Sequence, residues 1–79
     1  MPALAPVPPT ILKKILELAG YKTFKEDVHN WAMARKDDEL PIILPKLGRY
    51  VAVEVMMNAL DRAKMDNATY FALHEKAVN

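Results

Sequence analysis

The sequence predicts one α+β domain, in which a helix is followed by three short antiparallel strands and then by two helices. Three patterns lead to this order. Polar residues recur every three or four positions near the N-terminus, side chains alternate in the middle of the chain, and a polar stripe of helical period returns in the C-terminal half. A three-stranded sheet has a face that must be covered, so we expect the helices to pack on one side of it.

The first predicted helix spans about residues 11–19. Thr10 is a suitable N-cap, and a polar face with helical spacing follows from it, formed by Thr10, Lys13, Lys14 and Glu17. Gly20 stands where a helix-ending glycine is expected. Four prolines interrupt residues 1–9, so we expect this segment to be a flexible tail and residues 10–79 to form the single domain.

Alternating side chains predict two strands after this helix. The first begins at Tyr21 and ends at a turn, Glu26-Asp27, and the second runs from His29 to Arg35. Trp31 and Met33 share the predicted face of His29. Their default role is core packing, and the alternative is an exposed surface for base stacking or for a protein partner. In the first strand, alternation separates Tyr21, Thr23 and Lys25 from Lys22, Phe24 and Glu26.

The third predicted strand covers residues 40–44 and follows a charged reversal, Lys36 to Glu39. The carboxylates Asp37, Asp38 and Glu39 most commonly indicate a charged, solvent-exposed turn. The alternative is that they act as a general acid or bind a metal. Pro41 and Pro45 bracket the strand. Since proline cannot donate a ladder hydrogen bond, we place this strand near an edge of the sheet.

The polar residues decide whether the segment after residue 50 is a strand or a helix. Glu54, Asn58, Asp61 and Arg62 fall on one stripe of a helix and have no common face on a strand, so we predict a helix over residues 53–64. Asp66 or Asn67 then caps a last helix. The predicted core consists of Leu12, Ile15, Leu16, Phe24, Met56, Leu60 and Phe71.

Composition limits the functions that are open to this chain of 79 residues. Eleven basic and ten acidic side chains give a net charge of +1, which argues against a large uniform nucleic-acid surface but allows a local basic patch. The sequence has no cysteine, no signal-peptide pattern and no apolar run long enough to span a membrane, so we expect a cytoplasmic protein. Hydrophobic residues make up 52% of the chain, which favours a protein partner or a homodimer.

His29 is the residue best suited to chemistry. Histidine exchanges protons near neutral pH, so it can serve as the general base that removes the 2′-hydroxyl proton of RNA. Judged from the sequence spacing alone, an isolated histidine on a β-strand more often has a structural role or is merely exposed. The cations that could bind RNA lie in or beside the strands, although such residues are more often scattered surface charges. They are Lys22, Lys25, Arg35, Lys46 and Arg49. The sequence has no glycine-rich phosphate loop and no histidine pair spaced for a metal, so we expect no cofactor and no metal.

The order of these elements resembles the HicA-type toxin family. In that family a helix with a closing turn leads into a hairpin that has a histidine at the start of its second strand. A third strand ending in an apolar–proline pair, a helix and a short capped segment follow. The matching parts of this chain, which span about residues 10–74, are Ile11 to Tyr21, His29, Leu44-Pro45, Val53 to Ala63 and Asp66 to Leu73.

The resemblance implies a fold like that of the double-stranded-RNA-binding domain. It also implies cleavage of messenger RNA by an endoribonuclease (an mRNA interferase) with His29 as the catalytic residue, and inhibition by a HicB-like antitoxin. This chain departs from the family at two places. Asp27-Val28 stand where the family usually has Gly-Ser, and Lys46-Leu47-Gly48 stand where a further histidine is common. Family members are also typically more basic.

Three functions therefore remain open from the sequence. The first is an RNA-cleaving toxin of the HicA type. The second is a non-catalytic module of the same fold, a decayed toxin that binds RNA or a protein. The third is a helix-turn-helix DNA-binding protein that uses residues 53–73, and it is the weakest because the second helix has few side chains suited to base edges.

Overall fold

The computed structural model describes residues 4–36 and 40–79, and its elements follow the predicted order. The three strands form one antiparallel sheet in the order β1-β2-β3, which confirms the α+β class and the edge position of the third strand. Of the predicted charged reversal, Asp37, Asp38 and Glu39 lie outside the described residues. The elements are α1 (Pro9–Leu18), β1 (Lys22–Glu26), β2 (Asn30–Ala34), β3 (Ile42–Pro45), α2 (Val53–Arg62) and α3 (Asn67–Val78).

The helices are packed on the sheet, but their neighbours differ from the prediction. We expected α1 to lie beside the helix over residues 53–64, whereas its main helical neighbour is α3. α2 instead packs against β3, where the guanidinium of Arg62 donates to the carbonyl of Pro41 at 3.5 Å. Because α2 packs along β3, the helix that lies beside α1 is α3.

Prolines begin the first helix, and a glycine ends it. α1 starts at Pro9 with Pro8 as its N-cap, so the prediction that Thr10 caps the helix is wrong. Proline is favoured in a first turn because the N–H groups there have no partner within the helix. At the other end Gly20 has a φ of +100°, and the N–H of Tyr21 donates to the carbonyl of Leu16 at 2.9 Å. This geometry is the glycine-terminated turn that the sequence predicts.

The segment that precedes α1 belongs to the packed domain. Val7 is buried, and its carbonyl accepts a hydrogen bond of 2.7 Å from the N–H of Val51 in an isolated antiparallel bridge. Leu4 packs against the core from the same segment. Burying these apolar side chains offsets the entropy lost when the segment is ordered. The packed domain thus starts upstream of the predicted boundary between a tail over 1–9 and a domain over 10–79.

The core contains most of the residues that the sequence predicts. Leu12, Ile15, Leu16, Met56 and Leu60 are buried. Trp31 and Met33 are also buried, which confirms core packing and rules out the alternative of an exposed aromatic surface at these two positions. Phe71 is only partly buried, and the predicted burial of Phe24 is wrong, since 62% of its surface is exposed.

The last helix begins as predicted. The carboxylate of Asp66 accepts a hydrogen bond of 2.8 Å from the N–H of Thr69, so Asp66 rather than Asn67 is the N-cap of α3. Hydrogen bonds from Thr69 lower the pKa of Asp66 below its ordinary value. Within residues 4–36 and 40–79, every helix is too short or too polar to cross a membrane.

Replacing Leu60 by alanine should destabilise the domain by roughly 2–5 kcal/mol, because it leaves a cavity under the sheet at a well-packed site. Leu60 is 4% exposed on α2. Met57 is 56% exposed on the same helix, so Met57→Ala is a matched control that should change stability by about 0.5 kcal/mol or less. Urea unfolding monitored by circular dichroism measures both, and equal losses in the two variants would contradict the assigned packing.

Candidate nucleic-acid interface

Asp27 builds the turn that connects β1 and β2. Its carboxylate accepts hydrogen bonds from the backbone N–H groups of His29 at 2.8 Å and Asn30 at 2.7 Å. This is an Asx-turn, in which a side chain replaces a backbone partner. The bond from His29, followed by the bond from Asn30, lowers the pKa of Asp27 below its ordinary value of 3.8. Asp27 is therefore ionised at neutral pH and is engaged by the backbone of the turn.

His29 lies at the exposed end of this hairpin. The predicted second strand began at His29, but β2 begins one residue later, because the N–H of His29 is bound by Asp27 rather than by a neighbouring strand. The carbonyl of His29 accepts a hydrogen bond of 2.8 Å from the N–H of Lys46. Both backbone polar groups of His29 are thus fixed, while the residue as a whole is exposed to solvent.

Lys46 is engaged by acidic and aromatic neighbours. Its ammonium forms an ion pair with Glu26, donates to the carbonyl of Asp27 at 3.0 Å, and lies 5.8 Å from the ring centre of Trp31. The hydrogen bond and the charge of Lys46 are the main causes that lower the pKa of Glu26, with smaller contributions from Lys13 and Trp31. The ammonium of Lys13 lies 4.9 Å from the same ring. These contacts compete with phosphate for Lys46, which weakens its predicted role.

Strand pairing decides which side chains share a face of the sheet. Trp31 pairs with Leu44 and Met33 pairs with Ile42, and all four are buried, so they form the face that the helices cover. The residues that alternate with them point to the opposite side. We call this side the outer face; by the pairing, it carries Lys22, Lys25, Asn30, Ala32, Ala34, Ile43 and Pro45.

An irregularity in β1 places both lysines on the outer face. Thr23 pairs with Met33 but Lys25 pairs with Ala32, so Phe24 is an extra residue without a partner on β2. In a regular strand Lys22 and Lys25, three positions apart, would point to opposite faces. The bulge at Phe24 brings them together. The predicted grouping of Lys25 with Thr23 is therefore wrong, and Phe24 lies exposed between the two lysines.

The remaining predicted cations lie away from the histidine. The guanidinium of Arg35 is 5.1 Å from the ring centre of Tyr21. Arg35 follows the far end of β2, so roughly 20 Å of extended chain separates it from His29. Arg49 is exposed in the segment between β3 and α2. The structure thus distributes the predicted residues between the hairpin turn, the outer face and two peripheral positions.

A cleft beside Arg35 was not predicted. It has a volume of about 440 Å³, and the described residues that line it are Arg35, Leu40, Arg62 and Lys64. Arg62 was assigned only to the polar stripe of a helix, and Lys64 had no assigned role. Their proximity to Arg35 depends on the packing of α2 against the sheet, for which the sequence gives no local signal.

The lowered pKa of Asp27 predicts a specific pH dependence. The ionised carboxylate of Asp27 stabilises the fold at any pH above the ordinary pKa of aspartate. This stabilisation is lost as the pH falls through the lowered pKa that Asp27 has in the folded state. Asp27→Asn keeps an oxygen that can accept from both N–H groups but removes the titration. The variant should therefore lose less stability than wild type between pH 7 and about pH 3, as measured by urea unfolding. Asp27→Ala, which has no acceptor, should be less stable than wild type at pH 7.

Comparisons of the chain with protein-family models, curated proteins and solved structures found no match. In the described parts of the chain, no three side chains of the metal-binding types are grouped so that they could hold an ion. The features that point to chemistry are therefore the exposed histidine on a fixed turn and the cationic outer face beside it.

Proposed function

We propose that this chain is a HicA-type toxin, an endoribonuclease that cleaves messenger RNA in the cytoplasm without a metal and is inhibited by a HicB-like antitoxin. One observation supports this proposal above the others. His29 is exposed at the end of a hairpin, and both of its backbone polar groups are bound, the N–H by Asp27 of the turn and the carbonyl by the N–H of Lys46 after β3. A general base needs a defined position and access to its substrate. The two hydrogen bonds fix the backbone that carries the imidazole, and the exposure of His29 gives a substrate access to it.

His29 acts as a general base in the proposed reaction. Its imidazole takes the proton of a ribose 2′-hydroxyl, and the 2′-oxygen attacks the neighbouring phosphorus. The bond from phosphorus to the 5′-oxygen of the next nucleotide breaks, and that oxygen takes a proton from water. The products are a cyclic 2′,3′-phosphate and a 5′-hydroxyl end. DNA resists cleavage because it lacks the attacking hydroxyl.

The cations of the outer face are the best candidates for binding the phosphates. Lys25 lies on the strand that leads into the His29 turn, and Lys22 continues the positive charge along that strand. Both side chains are exposed. Arg35, Lys46 and Arg49 extend the track in this proposal, but Lys46 must first exchange its contact with Glu26 for a phosphate.

A second candidate, a non-catalytic module that binds RNA or a protein, is favoured by the acidic residues of the hairpin. Glu26 and Asp27 both have a lowered pKa and are therefore charged at neutral pH. Asp27 lies two residues before His29, where its charge opposes the approach of a phosphate and the build-up of negative charge during cleavage. A decayed toxin would keep the fold and the binding surface while losing the reaction.

Replacing His29 by alanine should reduce RNA cleavage by roughly 10²–10⁴-fold, which is the contribution of a positioned general base. Expression of wild type should arrest growth, and expression of the variant should not. The variant should keep the circular dichroism spectrum of wild type, since His29 is exposed. Purified protein is incubated with single-stranded RNA in the presence of EDTA, and the cleaved fraction is measured over time.

His74, the only other histidine, provides the matched control. It lies on α3 with its ring centre 5.9 Å from that of Tyr70, and His74→Ala should cleave RNA at the wild-type rate. If the wild type neither arrests growth nor cleaves RNA, the toxin proposal fails and the binding module replaces it. Cleavage that appears only in Asp27→Asn would identify the charge of Asp27 as the cause of the loss.

A further inference from the structure

The outer face carries exposed side chains on β1 and β3, one of them aromatic, while Ala32 of the central strand is only 8% exposed. Phe24 is 62% exposed and Ile43 is 52% exposed, although both belong to strands of the sheet. The helices occupy the other face, where the side chains that pair across the strands are buried. An aromatic ring that is exposed on a strand is available for stacking against a flat group of a ligand.

The charge of the outer face indicates the chemistry of its ligand. Lys22 and Lys25 lie on either side of Phe24, and both are exposed. Among the residues that strand pairing assigns to this face, none is acidic. Glu26 pairs with Trp31 on the helix-covered side, and the carboxylate of Asp27 is turned toward the backbone of its own turn. The surface is therefore suited to a polyanion that also carries flat apolar groups.

We infer that the outer face binds single-stranded RNA, with a base stacked on Phe24 and the backbone phosphates beside Lys22 and Lys25. This inference rests on the proposed function and specifies its substrate class. Unpaired bases expose their ring faces and can stack on an aromatic side chain, whereas in a duplex those faces are already stacked on neighbouring bases. A protein ligand fits this face less well, because lysine is depleted from the buried centre of protein interfaces.

The same strand connects binding to cleavage. β1 runs from Lys22 through Phe24 and Lys25 directly into the turn that holds His29. A nucleic-acid strand that follows β1 is thus led toward the histidine. The bulge is essential to this arrangement, because without it Lys22 and Lys25 would not share a face.

The test uses a DNA oligonucleotide, which offers the same bases and phosphates but cannot be cleaved through a 2′-hydroxyl. Its affinity for the full chain is measured by fluorescence anisotropy at several salt concentrations. Phe24→Ala should weaken binding by about 5- to 150-fold, the range expected for one stacked base. Phe24→Trp should retain the wild-type affinity. Met57→Ala, which removes an equally exposed apolar side chain from α2, should have no effect.

The lysines are tested by the salt dependence of binding. In the double variant Lys22→Gln/Lys25→Gln, the slope of log K against log salt should fall by about 1.4, since each lost single-strand phosphate contact contributes roughly 0.7. Lys14→Gln on α1 removes an exposed charge elsewhere and should leave the slope closer to that of wild type. A duplex of the same sequence should bind more weakly and should not respond to Phe24→Ala.

The inference is overturned if wild type does not bind the single strand, or if Phe24→Ala binds it as tightly as wild type does. It is equally overturned if the duplex binds as tightly and depends on Phe24 in the same way. These outcomes are separate from the test of the reaction. RNA cleavage that depends on His29 but not on Phe24 would leave the toxin proposal intact, whereas Phe24-dependent binding without cleavage would leave only the binding surface.

Discussion

Burial of one face of the central strand β2 determines how the rest of the chain is arranged. Trp31 and Met33 pair with Leu44 and Ile42, and this row of side chains is covered by the helices. Both α1 and α2 contact β3, the strand next to β2. The exposed lysines of β1, Phe24 and His29 all lie outside this buried row.

Features that depend on neighbours in the sequence could be predicted, and features that depend on distant residues could not. The helical stripe of α2, the glycine that ends α1 and the cap at Asp66 are local, and the structure confirms them. The bulge at Phe24 is set by pairing with β2, so simple alternation assigned Lys25 and Glu26 to the wrong faces of the sheet. The bridge between Val7 and Val51 joins opposite parts of the chain and leaves no periodic signal.

For the candidate site, as for the fold, local features could be predicted from the sequence and long-range contacts could not. The sequence placed His29 at the start of the second strand, and the structure places it one residue before β2, exposed and in the turn. It could not show that Lys46 would be engaged by Glu26, twenty residues away, or that Arg35 would lie over the ring of Tyr21. The five predicted cations therefore differ in their surroundings. Strand pairing, which the sequence does not show, is what places Lys22 and Lys25 together on the outer face.

Asp27 links the rigidity of the candidate site to its electrostatics. Its carboxylate holds the turn that presents His29, and the same two hydrogen bonds keep that carboxylate ionised. The group that fixes the backbone of His29 thus also places a negative charge two residues away, and in the proposed reaction this charge opposes the approach of a phosphate. Because Phe24 and the outer-face lysines lie along β1, we expect this charge to oppose the proposed reaction more than the proposed binding. The turn at Asp27 is consequently the point at which a toxin and a binding module of the same fold would diverge.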